Sequence, residues 1–148
     1  MLRELLTKDT IRFAKDTENW ETAIALCAEP LIEKGYIDEG YVTACIESVH
    51  KLGAYIVVSP LVAMPHALAP ECVNKTCMSY LNLEKPVDVL DNPERRAKIF
   101  VMLAAEDQSK HVDAVVALGG IFSDETNLER MIYAETVEDV LAIISEAE

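Results

Sequence analysis

Glycine is scarce in this 148-residue chain, with only five in all. None stands in a G-x-x-x-x-G-K-[ST] arrangement, so the sequence offers no loop of the kind that cradles nucleotide phosphates, and no cofactor is expected. Positive charge is also in short supply. Thirteen Lys and Arg face 26 Asp and Glu, giving a formal charge of -13 and a pI near 4.6. Such a surface repels phosphate backbones and anionic lipid, which argues against DNA, RNA or a membrane surface as partners. Long hydrophobic runs are missing too, since every apolar stretch falls well short of the roughly 18 residues of a membrane span. Met1 to Leu6 mixes charges into its apolar residues and lacks the h-region of a secretion signal. Cys27, Cys45, Cys72 and Cys77 show no C-x-x-C spacing and read as reduced thiols, which places the expected compartment in the cytoplasm.

What is present is a balanced globular composition, with 51% hydrophobic and 26% charged residues in 16.4 kDa. That size predicts one domain, residues 1–148, burying roughly 68 to 70 per cent of the unfolded chain's surface without disulfide or metal staples. The periodicities alternate along the chain. Leu2 to Leu6 reads as a short helix and Thr10 to Ala14 as a strand. Trp20, Ala23, Ile24, Cys27, Ala28 and Leu31 form one buried helical face, with Pro30 kinking it and Gly35 closing it. A second helix runs from an N-cap at Asp38 to Gly53, with Tyr41, Ala44, Cys45, Val49 and Leu52 inward.

From Tyr55 the period changes. Tyr55 to Val58 reads as a strand covered on both faces, Leu61 to Met64 as a short extended piece, and Thr76 to Leu83 and Lys98 to Ala104 as further strands. Helical patterns near Lys110 to Phe122, Glu125 to Ala134 and Val137 to Ser145 close the chain. This interleaving predicts an α/β layer fold with a mixed sheet between helices.

Three histidines are the only candidates for chemistry. His66 follows Pro65 just past a predicted strand end, where one imidazole nitrogen can be fixed by a backbone carbonyl and the other left as a nucleophile towards phosphorus. A surface or capping histidine is the competing reading. His111 falls in the first turn of a helix for which Ser109 is a plausible N-cap, a position with free N–H groups and partial positive charge suited to a phosphoryl group. A merely exposed first-turn histidine fits as well. His50, late in the second helix, needs no function beyond favourable placement on the helix dipole. The histidines with Cys72 and Cys77 match no zinc spacing, so no metal site is expected.

The segment Gly53-Ala54-Tyr55-Ile56-Val57-Val58-Ser59-Pro60-Leu61-Val62-Ala63-Met64-Pro65-His66 resembles the active-site segment of phosphotransferase-system (PTS) enzyme IIA components of the mannitol/fructose type. The likeness is nearest to the ascorbate-specific IIA proteins and extends over nearly the whole chain, including Asn74-Lys75-Thr76 and Ala104-Ala105-Glu106-Asp107 before His111. It implies a three-layer α/β/α sandwich. It also implies that His66 takes a phosphoryl group from the carrier HPr and passes it to a cysteine of a cognate IIB protein, with a membrane IIC component served indirectly. His111 would be the companion that helps hold the phosphoryl group, and the sugar would be ascorbate or a related pentitol or sugar acid. The chain departs from the pattern at Leu61, where relatives usually have Gly, and at Ala54. It departs again at Ala67-Leu68-Ala69-Pro70, where many ascorbate-type members have Gly-Arg-Pro, and in the helix before the segment, where Ser48, Val49 and His50 stand nearest the arginine of mannitol-type members. A regulatory, non-transport relative in which phosphorylated His66 reports nutrient state is the alternative. A binding module without phosphoryl chemistry is the third reading. A homodimer is left open.

Overall fold

The computed structural model describes residues 1–148. Its centre is a mixed five-stranded sheet of β1 (Ile11–Ala14), β2 (Val57–Ser59), β3 (Leu61–Ala63), β4 (Cys77–Asp88) and β5 (Arg96–Ala104), in the order β1-β4-β5-β3-β2. β1 runs parallel to β4 and β3 parallel to β5, whereas β4 and β5 are antiparallel, as are β2 and β3. The ends of β3 and β5 and the start of β4 therefore meet at one end of the sheet.

Helices cover both faces. α2 (Trp20–Glu33) and α3 (Glu39–Leu52) pack on one, and α1 (Leu2–Leu5), α4 (Gln108–Phe122), α5 (Glu125–Tyr133) and α6 (Val137–Ala147) on the other. β5 explains why this works. Phe100, Met102 and Ala104 point into the α2/α3 core while Ile99, Val101 and Leu103 point into the opposite one. A central strand with water on neither face reads as a continuous apolar run, and each fully buried Leu, Ile or Phe contributes roughly 1.5–3 kcal/mol.

Local signals account for most boundaries. The Asn19 side chain accepts from Thr22 N at 2.8 Å to start α2. The same helix continues through Pro30 to Glu33, and Gly35 ends it at φ +74°. There Tyr36 N donates to Leu31 O and Gly35 N to Ile32 O, the paired bonds of a Schellman cap. Asp38 stands at the N-cap of α3 as expected, but its side chain makes no cap bond.

Four expectations need correction. Leu52, expected on the inner face of α3, is its last residue and is exposed. Tyr55 to Val58 is not a strand covered on both faces. Tyr55 and Ile56 lie in a turn, and β2 is a short edge strand with Val58 half exposed, because β4 and β5 already hold the centre of the sheet. β4 is longer than Thr76 to Leu83 and runs on to Asp88. Pro86 is accommodated because the β4–β5 register breaks between Asn82 and Val87, where no ladder N–H is demanded of it. α4 begins two residues before Lys110, and its N-cap is Asp107 rather than Ser109: the Asp107 side chain accepts from Lys110 N at 2.8 Å.

Candidate active site

β3 ends at Ala63, and the four residues after it are each held by a backbone group. Met64 N donates to Ile56 O at 2.7 Å, and Leu103 N donates to Pro65 O at 3.1 Å. The Tyr55 hydroxyl donates to His66 O at 3.0 Å, and Ala67 N donates to the Tyr41 hydroxyl at 3.1 Å. That hydroxyl in turn donates to Leu103 O. Tyr41 and Tyr55 thus clamp the segment from α3 and from the turn before β2. Burial raises the pKa of both phenols, so they stay protonated as donors.

The clamp fixes the imidazole. His66 Nδ1 lies 2.7 Å from Met64 O. A carbonyl oxygen only accepts, so Nδ1 carries the proton, and the neutral ring keeps its in-plane lone pair on Nε2. Tyr55 meets the ring edge-on at 5.3 Å between centroids. His111 lies on its other flank, with centroids 5.4 Å apart. Sequence spacing alone does not bring these two histidines together; the parallel pairing of β3 and β5 does, because β5 leads directly into α4.

His111 is the fourth residue of α4, and its own N–H is already spent on Asp107 O. The amides free of intrahelical partners are those of Gln108 and Ser109, two residues further from His111 than a Ser109 cap would leave them. Partial burial lowers the His111 pKa, and the neighbouring His66 lowers it further, so His111 is neutral at pH 7. The loop before it is tied down by a reciprocal pair. Thr76 N donates to Glu106 Oε1 and Glu106 N donates to Thr76 Oγ1, both at 3.0 Å. These bonds, with Lys110, hold the Glu106 carboxyl below its ordinary pKa.

Beside the histidines is a cavity of about 160 Å³ bounded by Ala67, Leu68, Pro70, Glu106, Gln108 and His111. That is below the roughly 300–1,000 Å³ usual for small-molecule sites. No three His, Cys, Asp or Glu side chains converge to hold a metal ion. The cysteines are free, and burial pushes the Cys27 thiol up to about 11 and those of Cys45 and Cys77 to about 12, which keeps them unreactive. His50 lies far along α3, against Trp20 and 3.5 Å from Glu21, in the structural role expected of it.

Residues 4–147 match the family described as phosphoenolpyruvate-dependent sugar phosphotransferase system, EIIA 2. The chain belongs to this family. It is a IIA component of a sugar phosphotransferase system, one of a class of phosphoryl-transfer proteins. A mannitol-specific cryptic phosphotransferase enzyme IIA component of Escherichia coli strain K12 is 34% identical over 145 residues, covering 97% of each chain. The solution structure of an E. coli enzyme IIA of that description superposes with a TM-score of 0.89 at 34% identity, over 98% of each chain. The ascorbate-specific EIIA component of E. coli strain K12 is 29% identical over 145 residues, 97% of this chain and 94% of that one. The fold is shared as well with the mannitol enzyme IIA of E. coli in its complex with phosphorylated enzyme IIB, at a TM-score of 0.81 and 22% identity over 96% of this chain and 99% of that one.

Sequence reading of this IIA protein placed His66 and His111 but missed the tyrosines that hold the first of them. The helical period puts Tyr41 on the buried face of α3 but says nothing of where its hydroxyl goes. A buried phenol needs a polar partner, and that requirement was the available signal. Leu61 sits after Pro60 at φ +66°, a left-handed backbone that glycine adopts without strain.

Proposed function

We propose that the 148 residues act as one IIA domain that carries a phosphoryl group on His66 Nε2. The observation that carries the reading is the Nδ1 bond to Met64 O, which fixes the ring's orientation beside His111 and, in the neutral ring, leaves the lone pair on Nε2. In the first step the Nε2 lone pair attacks phosphorus of a phosphohistidine on HPr, a P–N bond forms to His66, and the P–N bond to the donor imidazole breaks. In the second step a cysteine thiolate of a cognate IIB protein attacks the same phosphorus and His66 leaves as neutral imidazole. The protein's contribution is position and charge stabilisation.

His111 answers the charge. It is neutral beside an unmodified His66, and a phosphoryl dianion within a few ångströms favours its protonated form, so the companion gains a proton as the group arrives and becomes a charged donor to it. Docking uses apolar surface near the site: Leu68 is 90% exposed two residues after His66, and Val112 and Val116 are exposed one turn apart on α4. An apolar patch framed by acidic residues suits a basic face on each partner in turn. The relatives support ascorbate or a related sugar acid or alditol as the sugar phosphorylated downstream, through IIB and a membrane IIC component, with this protein on the cytoplasmic side.

The test is incubation with phosphoenolpyruvate, enzyme I and HPr, followed by intact mass and acid lability. Wild type should gain one acid-labile phosphoryl group and His66→Ala none, with its fold intact. A His66→Ala protein that still accepts phosphate, or a wild type that accepts none while a control IIA does, overturns the reading.

A further inference from the structure

A cavity larger than the one beside the histidines lies away from His66. It measures about 660 Å³ and opens at the other end of the sheet, between the ends of β1 and β4, the start of β5 and the last turn of α5. Asn82, on its wall, is five residues along β4 from Cys77 at the histidine end, about 17 Å at strand rise.

Lys98 is the unusual group in it. Its ammonium is half-buried and donates to Asn82 Oδ1. The orientation of that amide is fixed, because Asn82 Nδ2 donates to the Tyr80 hydroxyl at 3.1 Å and to Met131 O at 3.2 Å. One of three ammonium protons is thereby used. No carboxylate comes within 4.0 Å of Lys98, and Lys15 and Glu135 line the same cavity. Glu84 lines the same cavity and acts on Lys98 from further off. A half-buried ammonium held on a rigid polar network, with no carboxylate in direct contact, has two donors left for a ligand. Phe13 and Ile132 give the cavity apolar surface, and Tyr133 stands beside them 74% exposed.

We propose that this cavity is a second ligand site, separate from the histidines, that takes a small organic anion with its carboxylate or phosphate on Lys98 and a flat apolar body against Phe13, Ile132 and Tyr133. The volume falls in the range of small-molecule sites, and the two remaining ammonium donors match the oxygens of one oxyanion. The inference does not depend on phosphoryl transfer at His66.

The test is an NMR titration of the ¹⁵N-labelled chain with benzoate, with phenyl phosphate and with neutral benzyl alcohol. Saturable shifts are expected at the Asn82 side-chain amide and at the Ala134 and Lys98 backbone amides with one or both anions. Benzyl alcohol should leave them in place. The anion that saturates first identifies the head group. Lys98→Met should weaken binding about tenfold or more, and Lys98→Arg should retain it. Tyr133→Ala, at an exposed position that leaves folding undisturbed, should weaken both aromatic anions. No saturable shift with either anion, equal response to benzyl alcohol, or shifts unchanged in both Lys98→Met and Tyr133→Ala would each overturn the proposal.

Discussion

The two ends of the sheet are built in opposite ways. At the histidine end every residue from Met64 to Ala67 is tied by a backbone group, and the adjoining cavity holds about 160 Å³. At the Lys98 end the β4–β5 register breaks between Asn82 and Val87, and the cavity holds about 660 Å³. A group handed from one protein to another must be reachable by a partner's side chain, so a shallow, rigid site suits it. A concave site with an unpaired charge suits a small molecule.

Five changes test this contrast, from the largest effect to the smallest. Tyr41→Phe strips partners from Ala67 N and Leu103 O inside the clamp. It should cost about 2 kcal/mol in urea unfolding and slow phosphoryl transfer, whereas Tyr80→Phe at the open end, losing one bond to Asn82, should cost about 1 kcal/mol. Equal costs would mean that the histidine end is no more tightly held than the other. Asp107→Ala removes the α4 cap and should cost about 1 kcal/mol, with amide exchange rising in the first turn of that helix. Unchanged exchange there would return the cap to Ser109.

Leu61 is the first residue of β3, directly after the turn at Pro60. Relief of its left-handed backbone opposes the extra chain entropy of glycine, so Leu61→Gly should change stability by less than about 1 kcal/mol, where a leucine-to-glycine change at a strand position of ordinary φ would cost far more. A loss of several kcal/mol in thermal unfolding would show that its side chain matters more than its φ. The smallest effect is electrostatic. In His66→Gln the His111 titration followed by NMR should move upward and still remain below the ordinary histidine range, since burial is the larger cause and the neighbouring histidine the lesser. The linkage sign follows. A lowered folded pKa means that the contribution of His111 to stability is intact above the ordinary range and is lost as pH falls through the folded value.

Much of this was legible in the residues. The face running from Trp20 to Leu31 and the stop at Gly35 specify α2, and Pro65 specifies that His66 follows an extended segment. The segment from Tyr55 to Val58 misled because β-branched residues at an edge read like those at a centre, and only strand order separates them. The cap of α4 misled because Asp107 and Ser109 are both good caps two residues apart, and β5 decides between them by where it ends. The tyrosine clamp was hidden for another reason. Its bonds join residues 11, 26 and 62 positions apart, beyond the reach of any local pattern.

The strand lengths at the margins of the sheet bear on how copies of the protein meet. β1 has four residues, and β2 has three with an irregular register against β3 before Pro60. An open edge is a template for adding another chain's strand, and short, irregular or proline-terminated edges blunt it. Two molecules that met along either margin would gain only a few ladder bonds. Self-association through a continuous sheet, and the fibrous aggregation that grows from it, is therefore disfavoured by construction, and any stable pairing of copies must be made by the helical faces instead.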